Sequence, residues 1–172
     1  MDNRTFAYQR RNALSIEEVN VKSSQIVQRL LPYLHGRVGI YMAYGKEVSV
    51  EALRLHQEFC FCAPVTLQNY EMKFYQIDEH TLFEQHAYGI WEPIGTLEVL
   101  PEHIDCMIIP IVAFDEHKHR LGHGKGYYDR YLASYKGVKI GVAFECQKVE
   151  AIQCNSHDVD MDVIVTEDAI YL

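Results

Sequence analysis

Residues 105–114 read DCMIIPIVAF, and residues 120–130 read RLGHGKGYYDR. The first stretch is nearly all apolar, which is typical of a strand buried on both faces of a sheet. The second stretch is rich in glycine and leads into a helical pattern, so the chain passes from a buried strand through a glycine loop into a helix. We therefore predict a strand over 105–114, although Pro110 cannot donate to a sheet ladder and argues against unbroken pairing along it. This order of elements indicates an α/β protein.

The flanking sequence extends the pattern in both directions. Over residues 4–34 the apolar spacing predicts a short helix followed by a longer one, and Ser15 with Glu18 spells a capping box. Residues 89–95 (GIWEPIG) predict an ordered loop in which Trp91 is a large apolar anchor. The other expected elements are a strand at 38–44, a helix at 49–61, strands at 63–68 and 71–77, a helix at 127–135, a strand at 138–144, a weak helical or irregular segment at 147–152 and a last strand at 162–166.

Strands and helices alternate along the chain, and no internal repeat or linker interrupts them. The 172 residues are enough for one compact core, since domains most often contain roughly 100 to 150 residues. We therefore predict an α/β fold: a single layered domain over residues 1–172, with a largely parallel central sheet and helices on both faces.

Composition limits the classes of function. The chain is 48% hydrophobic, which argues against disorder, and its formal net charge of -8 is opposite to the field that nucleic acid or an anionic membrane attracts. Its amino terminus is polar, and no run approaches the ~18 apolar residues of a spanning helix. We expect a cytoplasmic protein with small-molecule partners, no nucleic acid and no membrane; the oligomeric state stays open, with a monomer favoured. The five cysteines lack zinc-site spacing and indicate reduced, mostly buried thiols: Cys60, Cys62, Cys106, Cys146 and Cys154.

The glycine-rich loop indicates an anion site, in particular for phosphate. Gly122, Gly124 and Gly126 let the backbone approach a ligand closely, Lys125 and Arg120 add positive charge, and a helix amino terminus follows. The loop is not a Walker motif, because a glycine follows the lysine where Ser or Thr is required. The alternative interpretation is a strand-to-helix turn that needs glycines only for its geometry.

Two other patterns suggest metals but are assigned otherwise. His117 and His119 have a spacing seen in metal sites, yet we assign them to a turn. The acidic residues at 158, 160 and 162 spell DxDxD, but Val163 stands where a calcium loop needs glycine. We therefore reject a calcium loop.

The string IIPIVAFDEHKHRLGHGKGYYDRYL at 108–132, with GKEVS at 45–49, GIWEP at 89–93 and HDVDMDVIVTE at 157–167, resembles the 5-formyltetrahydrofolate cyclo-ligases, also called methenyltetrahydrofolate synthetases. The resemblance covers most of the chain in order. It implies an enzyme that closes 5-formyltetrahydrofolate to 5,10-methenyltetrahydrofolate through phosphorylation of the formyl oxygen and releases ADP and phosphate. ATP would be the co-substrate and Mg²⁺ the cofactor.

The resemblance also implies roles for individual residues. Lys125 and Glu47 match catalytic positions, and Asp129 and Asp158 match the magnesium carboxylates. The implied ATP contacts are Arg4, Arg120, Leu121, Gly122, His123, Gly124, Lys125, Gly126, Tyr127 and Tyr128. The implied folate contacts are Met42, Glu47, Trp91, His123, Gly124, Lys125, Gly126 and Tyr127.

The chain departs from the family pattern at its amino terminus, where no lysine precedes Arg4. Either Arg10 or Arg11 compensates, or triphosphate binding is weaker. His123 also occupies a position that is often tyrosine in the family. Two other functions stay open: another ATP-dependent phosphotransferase that uses the same loop, and a catalytically idle binder of folate or nucleotide.

Overall fold

The computed structural model describes residues 1–86, 88–95 and 97–172. Its helices are α1 (Asn3–Ala13), α2 (Ile16–Leu30) and α3 (Tyr127–Leu132). Its strands are β1 (Arg37–Gly39), β2 (Cys60–Thr66), β3 (Met72–Ile77), β4 (Phe83–Gln85), β5 (Trp91–Pro93), β6 (Glu98–Val99), β7 (Cys106–Pro110), β8 (Ala113–Phe114), β9 (Arg120–Leu121), β10 (Val138–Val142), β11 (Val163–Val165) and β12 (Ile170–Tyr171). Short 3-10 helices lie at Leu31–Tyr33, Glu51–Leu55, Gln68–Tyr70, Pro101–His103 and Glu145–Gln147.

The main sheet has eight strands in the order β12-β11-β10-β7-β1-β2-β3-β6. The five central strands from β11 to β2 are parallel, and the outer strands β12, β3 and β6 pair antiparallel. Among the parallel strands, β1 lies beside both β2 and β7, so the chain winds from it in two directions. Such a doubly wound sheet opens a crevice at the carboxyl ends of the strands where the winding reverses, here between β1 and β7.

Each face of the sheet has its own apolar core. Successive residues of β7 point to opposite faces, so Ile108 packs with Ile26 of α2, while Met107 packs with Leu132 of α3. Burying each such side chain is worth about 1.5–3 kcal/mol. The prediction of an α/β fold with a largely parallel sheet and helices on both faces is therefore confirmed.

Helix α1 packs at the carboxyl edge of the sheet. Its Ala7 is fully buried among Val112, Ala113, Val149 and Ile152, which belong to the β8–β9 hairpin and to the segment after β10. This third cluster brings the amino terminus against the loops that leave the parallel strands.

Several predicted elements were wrong in type or extent. The predicted helix at 49–61 is a 3-10 helix, Glu51–Leu55, followed by β2 from Cys60. Tertiary pairing explains the difference, because β2 is held by β1 on one side and β3 on the other. The predicted strand at 38–44 has only three paired residues, Arg37–Gly39, since the chain then leaves the sheet. The segment at 147–152, predicted as weakly helical or irregular, is irregular and follows a 3-10 helix at Glu145–Gln147.

Loops and edge strands account for the other errors. The predicted loop at 89–95 contains β5, which pairs with β4. Trp91 is not an anchor, because it points outward and is 46% exposed, whereas its neighbour Glu92 is buried and accepts bonds from the Thr66 amide (2.9 Å) and hydroxyl (2.6 Å). The single strand predicted over 105–114 is divided: β7 ends at Pro110, which cannot donate to the ladder, and β8 begins separately at Ala113. The short edge strand β12 was missed.

The cysteines are free, as expected, but they are not mostly buried. Cys62 and Cys106 lie in the core and Cys146 is half-buried, whereas Cys60 and Cys154 are exposed because they lie at a strand start and in a loop. Within the described residues, no helix combines the length and apolar character needed to cross a membrane.

A buried glutamine links the segments that follow the carboxyl ends of β7 and β10, and its replacement tests how much this link stabilises the fold. Gln147 donates to the carbonyls of Ile111 and Val112 (both 2.8 Å) and accepts from the amide of Phe144 (2.9 Å). Gln147→Met keeps the volume but leaves these backbone groups unpaired, so we expect the free energy of unfolding to fall by about 3 kcal/mol. Urea denaturation measures this change. The exposed Gln28→Met on α2 is the control, and an equal effect of both substitutions would contradict the assignment.

Candidate functional site

The glycine-rich loop at 122–126 joins β9 to α3 and needs glycine at two positions. Gly124 and Gly126 have φ of +92° and +74°, in the left-handed region that favours glycine. A Cβ on Gly126 would lie 2.7 Å from Nη1 of Arg130, the atom that donates to the Lys125 carbonyl (2.8 Å). Helix α3 spans only six residues and not 127–135 as predicted. Its dipole is therefore short, and the full charges of side chains such as Lys125 contribute more to the positive potential of the loop.

One hydrogen bond links the loop to the segment that follows β1. Nε2 of His123 lies 2.8 Å from Oε1 of Glu47, and the other carboxylate oxygen of Glu47 accepts from the amide of Tyr44 (2.8 Å). Glu47 is only 8% exposed. Because Glu47 follows β1 and His123 follows β7, their contact spans the point where the sheet winding reverses.

Helix α1 forms the next side of the site. Nε of Arg4 donates to the Gly122 carbonyl (2.8 Å), and the Tyr8 hydroxyl lies 2.6 Å from Nδ1 of His123. Tyr8 thus extends the Glu47–His123 contact into a chain of three side chains. Sequence analysis missed Tyr8, although residues four apart in a helix share a face and Arg4 was already a candidate.

The structure distinguishes the two arginines considered as substitutes for the missing lysine. Arg11 is 6% exposed, its Cζ lies 5.2 Å from the centroid of the Tyr8 ring, and its buried Nε has no hydrogen bond within the described part of the chain. Arg10 is exposed and lies over Phe6 instead (4.7 Å). Arg11 therefore lies on the side of α1 that faces the site.

An ion pair lies below the loop. Nη2 of Arg120 donates to Oδ1 of Asp129 (2.6 Å), and Arg120 is buried. Burial lowers the pKa of Arg120, and the Asp129 charge opposes that shift. Burial also raises the pKa of the neighbouring Tyr128 phenol. Arg120 thus sits under the loop with a carboxylate partner, and a direct phosphate contact by it stays a prediction.

The fold brings the two candidate magnesium carboxylates into one region. The amide of Val159, next to Asp158, donates to Oδ1 of Asp129 (3.4 Å), and Oδ2 of Asp158 accepts from the amide of Asn155 (2.8 Å). Oδ2 of Asp129 and Oδ1 of Asp158 accept no hydrogen bond from the described residues. Two carboxylate oxygens are thereby left for a hard cation, so the donor set fits Mg²⁺.

The β4–β5 hairpin approaches the loop from another side. Nζ of Lys125 lies 4.4 Å from the centroid of the Tyr88 ring, and a Cβ on Gly89 would lie 3.2 Å from Cε2 of Tyr44. Tyr88 was not a candidate, and only its place beside the GIWEP motif could have suggested it. Of the other candidates, Leu121 ends β9 and Tyr127 packs edge-to-face with Tyr70 (5.8 Å).

Two predicted folate contacts stay apart from this network. Met42 is half-buried in the segment after β1, and Trp91 opens β5. In the ranges 1–86, 88–95 and 97–172, no hydrogen bond, ion pair or aromatic contact joins either side chain to the glycine-rich loop. Their roles stay predictions.

Known proteins resemble this chain over nearly its whole length. The model of the 5-formyltetrahydrofolate cyclo-ligase family matches residues 2–167. The 5-formyltetrahydrofolate cyclo-ligase of Mycoplasma genitalium is 32% identical, covering 82% of this chain and 81% of that protein, and the one of Haemophilus influenzae is 29% identical, covering 91% of each. The solved 5,10-methenyltetrahydrofolate synthetase of Aquifex aeolicus superimposes with a TM-score of 0.85 at 33% identity, covering 98% of this chain and 89% of that one. The chain therefore belongs to the 5-formyltetrahydrofolate cyclo-ligase family.

Proposed function

We propose that this protein catalyses the ATP-dependent cyclisation of 5-formyltetrahydrofolate to 5,10-methenyltetrahydrofolate, with release of ADP and phosphate. We place the activity in the cytoplasm, with reduced folate and ATP as small-molecule substrates and Mg²⁺ as the cofactor. The family membership supports the reaction class. The observation that carries the proposal is the 2.8 Å contact between Glu47 and His123, because it joins the proposed folate segment and the proposed phosphate loop in one crevice.

The reaction needs positioning more than a covalent nucleophile. The formyl oxygen attacks the γ-phosphorus of ATP and ADP leaves. The neighbouring folate nitrogen then attacks the activated carbon and releases its proton to water, and the oxygen departs as phosphate. Holding two substrates in line supplies much of the rate of such a step. A crevice between two loops of one sheet can hold both substrates.

The glycine-rich loop is suited to the ATP phosphates. Its glycine backbone allows close approach, Lys125 is an exposed positive charge on the loop, and Arg4 is tied to the loop at Gly122. Arg11 adds a buried charge beneath Tyr8, which makes it a better substitute than Arg10 for the missing lysine. These cations offset a chain whose net charge is -8.

His123 is held in a defined orientation between its neighbours. When Glu47 is ionised and the imidazole is neutral, Nε2 of His123 donates to Glu47 and Nδ1 accepts from the Tyr8 hydroxyl. A ring fixed at both nitrogens can form a wall of the folate site and keep Glu47 pointing inward. Glu47 would then accept from donors of the pterin.

Asp129 and Asp158 would hold the magnesium ion through their remaining carboxylate oxygens. When bound, the ion would neutralise negative charge on the phosphate oxygens. Asp129 has a second task, because it also pairs with buried Arg120.

One assay separates the candidate functions. Purified protein is incubated with 5-formyltetrahydrofolate, ATP and magnesium, and the ultraviolet band of the methenyl product is followed. Product formation supports the proposal. Folded protein that consumes ATP only with another acceptor would favour a different phosphotransferase, and binding without turnover would favour an idle binder.

Glu47→Gln should impair folate use and leave ATP binding nearly intact. The amide can accept at only one oxygen, so either the Tyr44 amide or His123 loses its charged partner. We expect kcat/KM for 5-formyltetrahydrofolate to fall about tenfold or more, since such bonds are worth about 1.5–3 kcal/mol. Glu51→Gln, an exposed neighbour, is the control. A Glu47 variant that keeps wild-type folate kinetics, or loses ATP affinity instead, would contradict this role.

Lys125→Ala should weaken ATP use. Removing a charge directed at the phosphates should lower kcat/KM for ATP about tenfold or more. Lys136→Ala removes another exposed charge, four residues after α3 ends, and is the matched control. Steady-state kinetics with varied ATP measure the effect, and identical kinetics for the two variants would exclude the phosphate role.

The two aspartates should behave differently when replaced. Asp158→Asn should raise the magnesium concentration for half-maximal activity with little change in stability, because the amide oxygen can still accept from Asn155. Asp129→Asn should do the same and also lower the free energy of unfolding by about 1–3 kcal/mol, because Arg120 loses its charged partner.

Magnesium titrations and thermal melts check both expectations. Asp168→Asn, an exposed aspartate near the carboxyl terminus, is the control for loss of one charge. If the Asp158 variant shows the same magnesium curve as this control, Asp158 is not a ligand.

A further inference from the structure

Three side chains outside the proposed ATP and folate site meet in the structure. A ring nitrogen of His119, Sγ of Cys154 and a carboxylate oxygen of Asp160 all lie within 4.8 Å of one another. They come from two parts of the chain: His119 lies in the β8–β9 hairpin, and Cys154 and Asp160 lie in the loop that precedes β11. The fold alone assembles this mixed imidazole, thiol and carboxylate cluster.

A buried carboxylate orients the histidine. Oδ2 of Asp115 lies 2.9 Å from Nδ1 of His119, and the Asp115 side chain is only 1% exposed. Because Nδ1 is taken, Nε2 is the nitrogen available to a cation. A histidine whose second nitrogen bonds to a carboxylate is the usual arrangement at protein zinc sites, where that partner fixes the ring and strengthens the ligand.

The same carboxylate also holds the segment that carries the cysteine. Oδ2 of Asp115 accepts from the amide of Ile152 (2.9 Å), two residues before Cys154, and Oδ1 accepts from the amide of His119 (3.1 Å). Farther along the same loop, the amide of Met161 donates to the Lys118 carbonyl (3.1 Å), which holds the neighbour of Asp160 beside the neighbour of His119. Backbone hydrogen bonds near all three residues thus hold the loop against the hairpin before any metal binds.

The donor atoms select the class of metal. Imidazole nitrogen, thiolate sulfur and carboxylate oxygen are zinc ligands, whereas magnesium takes oxygen ligands. In a tetrahedral zinc site, neighbouring ligand atoms are about 3.5 Å apart, so atoms within 4.8 Å of one another must approach by at most about 1.3 Å. Cys154 and Asp160 are exposed, so side-chain rotation can supply this movement.

We propose that His119, Cys154 and Asp160 form a binding site for a zinc-class divalent metal, with the fourth position open to water or another ligand. His117 takes no part, although the sequence paired it with His119. In this proposal His119 is a metal ligand, whereas the sequence indicated only a residue of a turn. Metal here would join the loop at 154–160, which carries Asp158, to the hairpin that leads into the glycine-rich loop.

Metal titration of the full chain tests the site without folate or ATP, so its outcome is independent of the proposed function. Reduced, chelator-treated protein is titrated with Co²⁺ and then with Zn²⁺. We expect one Co²⁺ per chain, with the visible bands of four-coordinate cobalt and a sulfur-to-cobalt charge-transfer band. Zn²⁺ should abolish both, and excess Mg²⁺ should not.

Variants identify the ligands. Cys154→Ser should remove the charge-transfer band, and Cys154→Ser, His119→Asn and Asp160→Asn should each weaken Co²⁺ binding at least tenfold. His119→Asn can still donate to Asp115, which preserves the hairpin. The matched controls are Cys60→Ser, an exposed thiol at the start of β2, and His157→Asn, an exposed imidazole in the same loop. Both should bind Co²⁺ as the wild type does.

Thermal melts give a second readout. Zn²⁺ should raise the Tm of the wild type and of both controls, and at the same Zn²⁺ concentration it should raise the Tm of Cys154→Ser less. The proposal is overturned if no charge-transfer band forms, if Cys154→Ser retains it, or if Cys60→Ser weakens binding as much as Cys154→Ser does.

Discussion

Strand β7 can be buried on both faces only if it lies inside a sheet that is covered on both sides. Its residues Cys106, Met107, Ile108 and Ile109 are fully buried, and parallel neighbours β1 and β10 satisfy its backbone. Parallel strands need crossovers that return the chain to the same end of the sheet. The loops after β1, β7 and β10 therefore leave at one edge, and every proposed site residue in those loops depends on that constraint.

Buried polar side chains then hold these loops in place. Gln147 pairs with backbone groups where the chain leaves β7, and Asp115 joins its hairpin to the segment before Cys154. Glu47 performs the same task between two loops through His123. A buried polar group without a hydrogen-bond partner destabilises the fold. Each of these side chains therefore favours the one loop arrangement in which its partners are present. Glu47 and Asp115 thus have structural and proposed chemical roles at the same atoms.

Local sequence predicted the parts of the fold that depend on pattern. The buried strand that begins near residue 105, the two amino-terminal helices and the alternation of strands and helices follow from hydrophobic period and capping residues. Hydrophobic spacing gave wrong predictions where strand pairing in the sheet decides the local structure. Residues 49–61 have helical spacing, yet Phe61 and its neighbours join the sheet because β1 and β3 lie on either side. The same reason explains β5 within GIWEPIG and the missed edge strand β12.

For the site, the sequence by itself determined the residue types of the glycine-rich loop and the family resemblance. Both depend on short stretches of residues that are adjacent in the chain. Only the tertiary structure decided which distant side chains meet. Tyr8 and Glu47 reach His123 from 115 and 76 positions away, and Cys154 reaches His119 through backbone contacts of their neighbours. No spacing rule connects such residues, since their separation in the chain is set by crossover length, whereas their distance in space is set by strand order in the sheet.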